Sequence, residues 1–190
     1  VRFCNRLSEI EGLEPAYRLE GPVVSWDVTA DGYRLPTEAE WEAAARAGQA
    51  TGFSGSDDVG DVAWYLVNAG NETHPVASKN PNGLGIHDMS GNVWEWVWDE
   101  FCGEIEAPED LDPVVAATIY GTEIERDAQE ALREAEIARV LRGGSWLSVA
   151  RHVHVGRRSG DNPYNRGINL GFRIARSLEE ADEAGVAPEP

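Results

Sequence analysis

The chain has 190 residues, with 16 basic against 34 acidic side chains and a net charge of −18. That length serves one ordinary domain or two small ones. The charge excludes the basic footprint of general nucleic-acid binding, and no run of about 18 apolar residues exists to insert directly into a membrane. Two cysteines, Cys4 and Cys102, rule out a disulfide-stapled mini-protein and a four-cysteine zinc site, and leave a single disulfide open.

In chain order, Val1, Phe3, Cys4, Leu7 and Ile10 fall on one helical face, and Gly12 follows as a stop. The start therefore reads as folded structure and not as a secretory leader. A leader or lipid anchor upstream of Val1 would put the protein at the cell surface or outside the cell; without one it is cytoplasmic. Residues 16–31 carry the strand formers Val23, Val24, Trp26 and Val28 and read as a small hairpin. Thr37 and Glu40 stand in capping-box spacing before a helix that Ala43, Ala44 and Ala45 propagate and Gly48 ends.

Residues 49–92, rich in Gly, Asn, Ser and Asp, read as a long irregular region. Trp94, Trp96 and Trp98 alternate with Val93, Glu95 and Val97, the signature of a strand with an aromatic face. Residues 100–139 read as an acidic insertion, irregular to 121 and helical over 122–139. Val140–Trp146 predicts a strand broken by Gly143-Gly144, Leu170–Ala175 a final strand, and 177–190 a flexible acidic tail. The fold class is α+β, a single domain over 1–176 with few helices, short strands and much loop.

No standard catalytic motif occurs. His152 and His154, two apart, could share a metal on a strand, or simply be exposed loop histidines. The run Ser90-Gly91-Asn92-Val93-Trp94-Glu95 offers hard oxygen ligands suited to Ca²⁺, or is a turn entering a strand with Glu95 bonding the backbone. The seven tryptophans are expected to be core payload for a loop-rich fold rather than a stacking platform.

Four motifs in order, Tyr33-Arg-Leu-Pro-Thr-Glu-Ala-Glu-Trp41, Gly85-Ile-His-Asp-Met-Ser-Gly-Asn-Val-Trp-Glu-Trp96, Arg142-Gly-Gly-Ser-Trp146 and Asn169-Leu-Gly-Phe-Arg173, resemble the formylglycine-generating-enzyme/sulfatase-modifying-factor family. The resemblance covers residues 1–176 and implies a C-type-lectin-like fold whose members usually carry more sequence before the first helix. It implies a structural Ca²⁺ held by Asn92 and Glu95 with carbonyls near Ser90 and Val93. It also implies that Arg158, Arg166 and Arg173 are scaffold, paired with core carboxylates.

The family's oxidising enzymes use a cysteine pair to bind copper and attack a substrate cysteine. The matching positions here are Ser148 and Val153, so no copper is expected and no catalytic residue is assigned. The related iron-dependent sulfoxide synthases need a His-rich iron domain that these residues do not contain. There remain the family's binding proteins, among them the variable proteins of diversity-generating retroelements. In those, adenine mutagenesis of AAY codons never yields Lys, Glu, Gln, Met or Trp. Residues 147–168 contain none of the five, although composition predicts about four. The same stretch sets four arginines against one aspartate, a local +3.

The expected function is thus a non-catalytic ligand-binding protein, with Leu147, Ser148, His152, His154, Val155, Arg157, Ser159, Asp161 and Tyr164 as its ligand-facing set. The breadth of the set points to a protein partner. The alternatives are an enzyme or accessory subunit of the same family with a non-standard site, or an adaptor acting through the 122–139 helix.

Overall fold

The computed structural model describes residues 1–21, 23–102 and 138–177. In chain order the elements are α1 (Arg2–Glu11), β1 (Tyr17–Glu20), β2 (Val23–Trp26), β3 (Tyr33–Arg34), α2 (Glu38–Arg46), α3 (Val59–Val62), β4 (Trp94–Glu100), β5 (Arg139–Arg142), a 3₁₀ turn (Ala150–His152), β6 (Arg158–Asp161), β7 (Leu170–Phe172) and β8 (Ala175–Arg176). They group into two compact units, Val1–Leu35 with Ile174–Pro190, and Pro36–Arg173. The acidic insertion, apart from its ends, and the tail beyond Ser177 lie outside the described residues. The helix expected over 122–139 cannot include its last residue, because Arg139 opens β5.

In the first unit, α1 ends at Gly12, whose φ of 72° is the left-handed conformation a C-cap glycine adopts without strain. The face it buries is not the apolar stripe read from the sequence. Cys4 and Ser8 are buried while Phe3 and Ile10 are exposed. Hydrogen bonding sets this orientation: Ser8 Oγ donates to Cys4 O (2.9 Å) and accepts from the Tyr33 N–H (2.8 Å), tying α1 to β3. Asn5 likewise brackets Tyr17 through its side-chain amide, at 2.7 and 3.1 Å. Burial raises the Cys4 thiol pKa, and both cysteines are free thiols. The expected hairpin is present, with Tyr17 opposite Trp26. The single final strand expected over Leu170–Ala175 is instead two, because β8 leaves to pair with β3.

In the second unit, α2 starts at the predicted capping box. The Thr37 side chain accepts from the Glu40 N–H (3.2 Å) and Glu40 Oε2 from the Thr37 N–H (2.8 Å). The helix lies on a four-stranded sheet of order β6-β5-β4-β7, antiparallel except for the β4–β7 pair. Trp41, Ala45, Met89, Val97, Val140 and Val155 form the buried cluster between them. Glycine is obligatory at two approaches here. Gly160 sits under the Phe101 ring and Gly91, at φ 79°, against the Trp64 carbonyl, so a Cβ at either would collide.

The strand at 94–100 alternates as expected, but the faces are reversed. Glu95 and Val97 point into the core while Trp94, Trp96 and Trp98 are half-exposed. Only Trp41 and Trp146 of the seven tryptophans are buried. The reason is electrostatic. A row of paired residues, Glu95, Arg142 and Arg158, crosses the sheet on the α2 side. Arg142 is completely buried and donates to Glu42 Oε2 (2.6 Å), Glu38 Oε1 (3.3 Å) and the Val155 carbonyl (2.8 Å), with its guanidinium 5.1 Å from the Trp41 ring. Arg158 grips both oxygens of Glu38 at 2.7 and 2.6 Å. Once these charges are committed to α2, alternation turns the tryptophans outward.

Burial pulls the Arg142 pKa down against the opposing carboxylates. Burial would raise Glu42, but hydrogen bonding from Arg46 and the charges of Arg142 and Arg46 outweigh it and hold its carboxyl below its usual value. Replacing Arg142 with Ala removes the one cation shared by α2, β5 and the Val155 carbonyl, and should cost about 3–5 kcal/mol in urea unfolding. Because the folded pKa of Glu42 lies below the unfolded one, its contribution is complete above about pH 4.3 and disappears as pH falls through the lower folded value. Melting curves taken down from neutral pH should therefore show a shallower acid loss for Glu42→Gln than for the unmodified protein.

Candidate ligand-binding site

The segment after β5 leaves the sheet through Gly143 and Gly144, both at positive φ (90° and 73°). Trp146, buried, anchors the turn that follows. Its N–H donates to Asn92 O (2.9 Å) and its indole N–H to Ile168 O (3.4 Å). Ser148 is buried, with Oγ accepting from the Ser145 N–H at 3.0 Å. Its carbonyl accepts the Leu66 N–H at 3.0 Å, binding this segment to the 64–79 loop. Val153 and Val155 are fully buried. The chain is thus pinned at 146, 148, 153 and 155, and the residues between are displayed.

This divides the expected ligand-facing set. Ser148 and Val155 are buried and not displayed: one is spent on the Ser145 turn and the other belongs to the core under α2. Tyr164 and His154 are exposed, and Leu147, His152, Arg157 and Ser159 are half-exposed. Asp161 is partly committed to the scaffold, its Oδ1 accepting from the Asn162 N–H (2.7 Å) and Asn165 Nδ2 (2.6 Å). His152 and His154 do not sit side by side on a strand. The first ends the 3₁₀ turn, and the second accepts the Gly156 N–H on Nδ1 at 3.2 Å. Among the described residues no group of three His, Cys, Asp or Glu gathers in a metal-holding arrangement.

The expected scaffold arginines also divide. Arg158 pairs with Glu38, and Glu38 raises its pKa through their hydrogen bonds. Arg173 pairs with Glu95, Nε to Oε2 at 2.6 Å and Nη2 to Oε1 at 2.8 Å. Arg166 is exposed and takes no carboxylate among the described residues. Arg142, which ties the whole arrangement together, was not singled out by its motif. The signal was the i, i+4 pair Glu38 and Glu42 on one face of a helix, opposite an arginine-bearing strand.

The two side chains of the expected calcium set, Asn92 and Glu95, are already engaged by protein partners. Both Glu95 oxygens are occupied by Arg173, and Oε2 also accepts the Trp41 indole N–H at 2.7 Å. The Asn92 amide is spent on His74, accepting its N–H at 3.1 Å and donating to its carbonyl at 3.2 Å. Ser90 Oγ accepts the Ser54 N–H. A cation on Glu95 would have to displace a guanidinium already neutralising it. Asn92 thus holds the His74 backbone, while Glu95, paired within the sheet, holds Arg173 and the Trp41 indole.

Residues 1–178 match the family described as sulfatase-modifying factor enzyme 1-like domain. The chain belongs to this family. It is 32% identical over 212 residues to the chaperone protein LppX of Paenibacillus barcinonensis, covering 93% of this chain and 66% of that one. It is 37% identical over 179 residues to a formylglycine-generating enzyme of Streptomyces coelicolor, covering 82% and 52% respectively. The solved structure of Treponema denticola variable protein 1 superposes with a TM-score of 0.70 at 32% identity, over 92% of this chain and 66% of that one. The chain therefore spans between half and two thirds of these relatives' lengths. The formylglycine-generating-enzyme type of α+β fold, loop-rich with short strands and few helices, is the one seen here.

If Arg173 and Trp41 saturate Glu95 as described, a chelator should leave the melting temperature within about 1 °C of its value in millimolar calcium, whereas saturable calcium binding at 100 times its Kd would add about 2.7 kcal/mol.

Proposed function

We propose that this chain is a non-catalytic binding protein of the sulfatase-modifying-factor family, whose partner, a protein, is contacted by the displayed part of residues 147–168. The observation that carries the reading is the state of the two positions where the oxidising enzymes have their cysteine pair. Val153 is a fully buried hydrocarbon, and Ser148 is a buried hydroxyl occupied by the Ser145 backbone. Neither can supply a thiolate to copper or to a substrate. Around them the backbone is held by core residues, while Leu147, His152, His154, Arg157 and Tyr164 are displayed in whole or part. Side chains on a pinned backbone bind without ordering a loop first, so they can vary without loss of the fold. The likeness to variable protein 1 supports diversification of this segment, and the likeness to a chaperone supports protein binding in the same family.

Sequencing the DNA around the gene tests the diversified form. The expected result is a reverse transcriptase gene and a near-copy of the codons for 147–168, differing where the copy has adenine. Their absence would leave a fixed binding surface. Conversion of cysteine to an aldehyde in a sulfatase-motif peptide would overturn the non-catalytic reading and favour the enzyme that the Streptomyces relative is named for.

A further inference from the structure

The 162–168 turn differs from the rest of the displayed segment. Its backbone is held at both ends and in the middle. Asp161 Oδ1 accepts from Asn162 and Asn165, Asn162 Oδ1 accepts the Tyr164 N–H (3.0 Å), and the Ile168 carbonyl accepts from Trp146. The Asn169 carbonyl then accepts the Trp94 N–H at 2.8 Å, joining the turn to the sheet. From this rigid frame every second side chain projects. Tyr164 is 48% exposed, Ile168 is 52% exposed, and Arg166 between them is exposed. Among the described residues neither the Tyr164 hydroxyl nor the Arg166 guanidinium has a hydrogen-bond partner. A rigid loop holding an aromatic ring, a free guanidinium and a branched aliphatic side chain in solvent has the composition of binding hot spots.

We infer that Tyr164, Arg166 and Ile168 form the anchoring epitope of the binding surface, and that its partner is a protein segment carrying a carboxylate beside an apolar side chain. The inference rests on the binding reading above and names the chemistry of its partner. Charge decides the partner's sign. Within 147–168, Arg158 is neutralised by Glu38, whereas Arg166 is exposed and has no hydrogen-bond or ion-pair partner among the described residues. The chain as a whole carries −18. A broadly acidic partner would be repelled, but beyond about 8 Å the field is screened at physiological salt. A short acidic motif is therefore drawn to this one place, where a guanidinium can take a carboxylate in bidentate fashion. The ring and the isoleucine supply apolar area on either side.

The probe is a random dodecapeptide library on phage, selected against the whole immobilised chain. The winners should be enriched in Asp or Glu adjacent to Leu, Ile, Phe or Trp, and should bind less tightly as salt is raised. Tyr164→Ala with Arg166→Ala and Ile168→Ser should weaken them at least tenfold, with the cooperative melting transition retained because none of the three side chains is buried. Arg166→Glu should switch selection to Lys- or Arg-bearing peptides, a readout that a merely structural role would not produce. Winners without acidic enrichment, or winners indifferent to the triple substitution, would overturn the inference. If those same winners were lost on substituting Leu147, His152 and Arg157, the binding reading would stand with its anchor elsewhere. No winners at all would sink both.

Discussion

Arg142 has no water around it and therefore has to be neutralised by the protein. Two carboxylates one helical turn apart on α2 do this, and the position of α2 on the sheet follows from it. The same guanidinium donates to the Val155 carbonyl, so one buried cation sets the helix and the exit of the 143–157 segment together. Arg158 and Arg173 extend the arrangement to either side, through Glu38 and Glu95. Glu38 and Glu42 of α2 face Arg142 and Arg158 of the sheet, and Glu95 of β4 faces Arg173 just beyond β7. Such a layer contributes less to stability than well-packed hydrocarbon would, but it tolerates only one register, because a slip of one residue would bury unpaired charge.

Outside that layer the second unit has little regular structure, and side-chain amides take over the role of a ladder. Asn82 donates to the Ala44 carbonyl at 2.7 Å and accepts from Leu84 and Ile86. Asn68 closes the turn at Tyr65, and Asn92 does the same for His74. Each amide offers both a donor and an acceptor, which is what an irregular backbone needs when it has no neighbouring strand. The Trp64 ring stacks on His74 at 3.7 Å, with the Lys79 ammonium 4.2 Å from it, filling the space such a loop would otherwise leave.

The charge layer and the amide-held loops do not draw on the side chains of Ser148 and Val153. Val153 instead fills the interior, and Ser148 ties the Ser145 turn. The residues displayed between them stand on a backbone fixed from beneath.

The family, the capping box, the hairpin, α1 and the strand at 94–100 were legible in the sequence, because each rests on local spacing or on a motif several residues long. So were the ion pairs of Arg158 and Arg173, through the resemblance. Which face of a strand or helix turns inward was not legible. Apolar alternation pointed Trp94, Trp96 and Trp98 to the core, and apolar spacing pointed Phe3 and Ile10 there; buried ion pairs reversed the first, and the Ser8 bond to Tyr33 reversed the second. The same limit decided the site. Ser148 and Val155 look like their displayed neighbours in sequence, and Arg166 looks like Arg158. Only tertiary contacts between residues tens of positions apart determined which were buried and which stood free, because desolvation and hydrogen-bond pairing depend on what lies opposite in space.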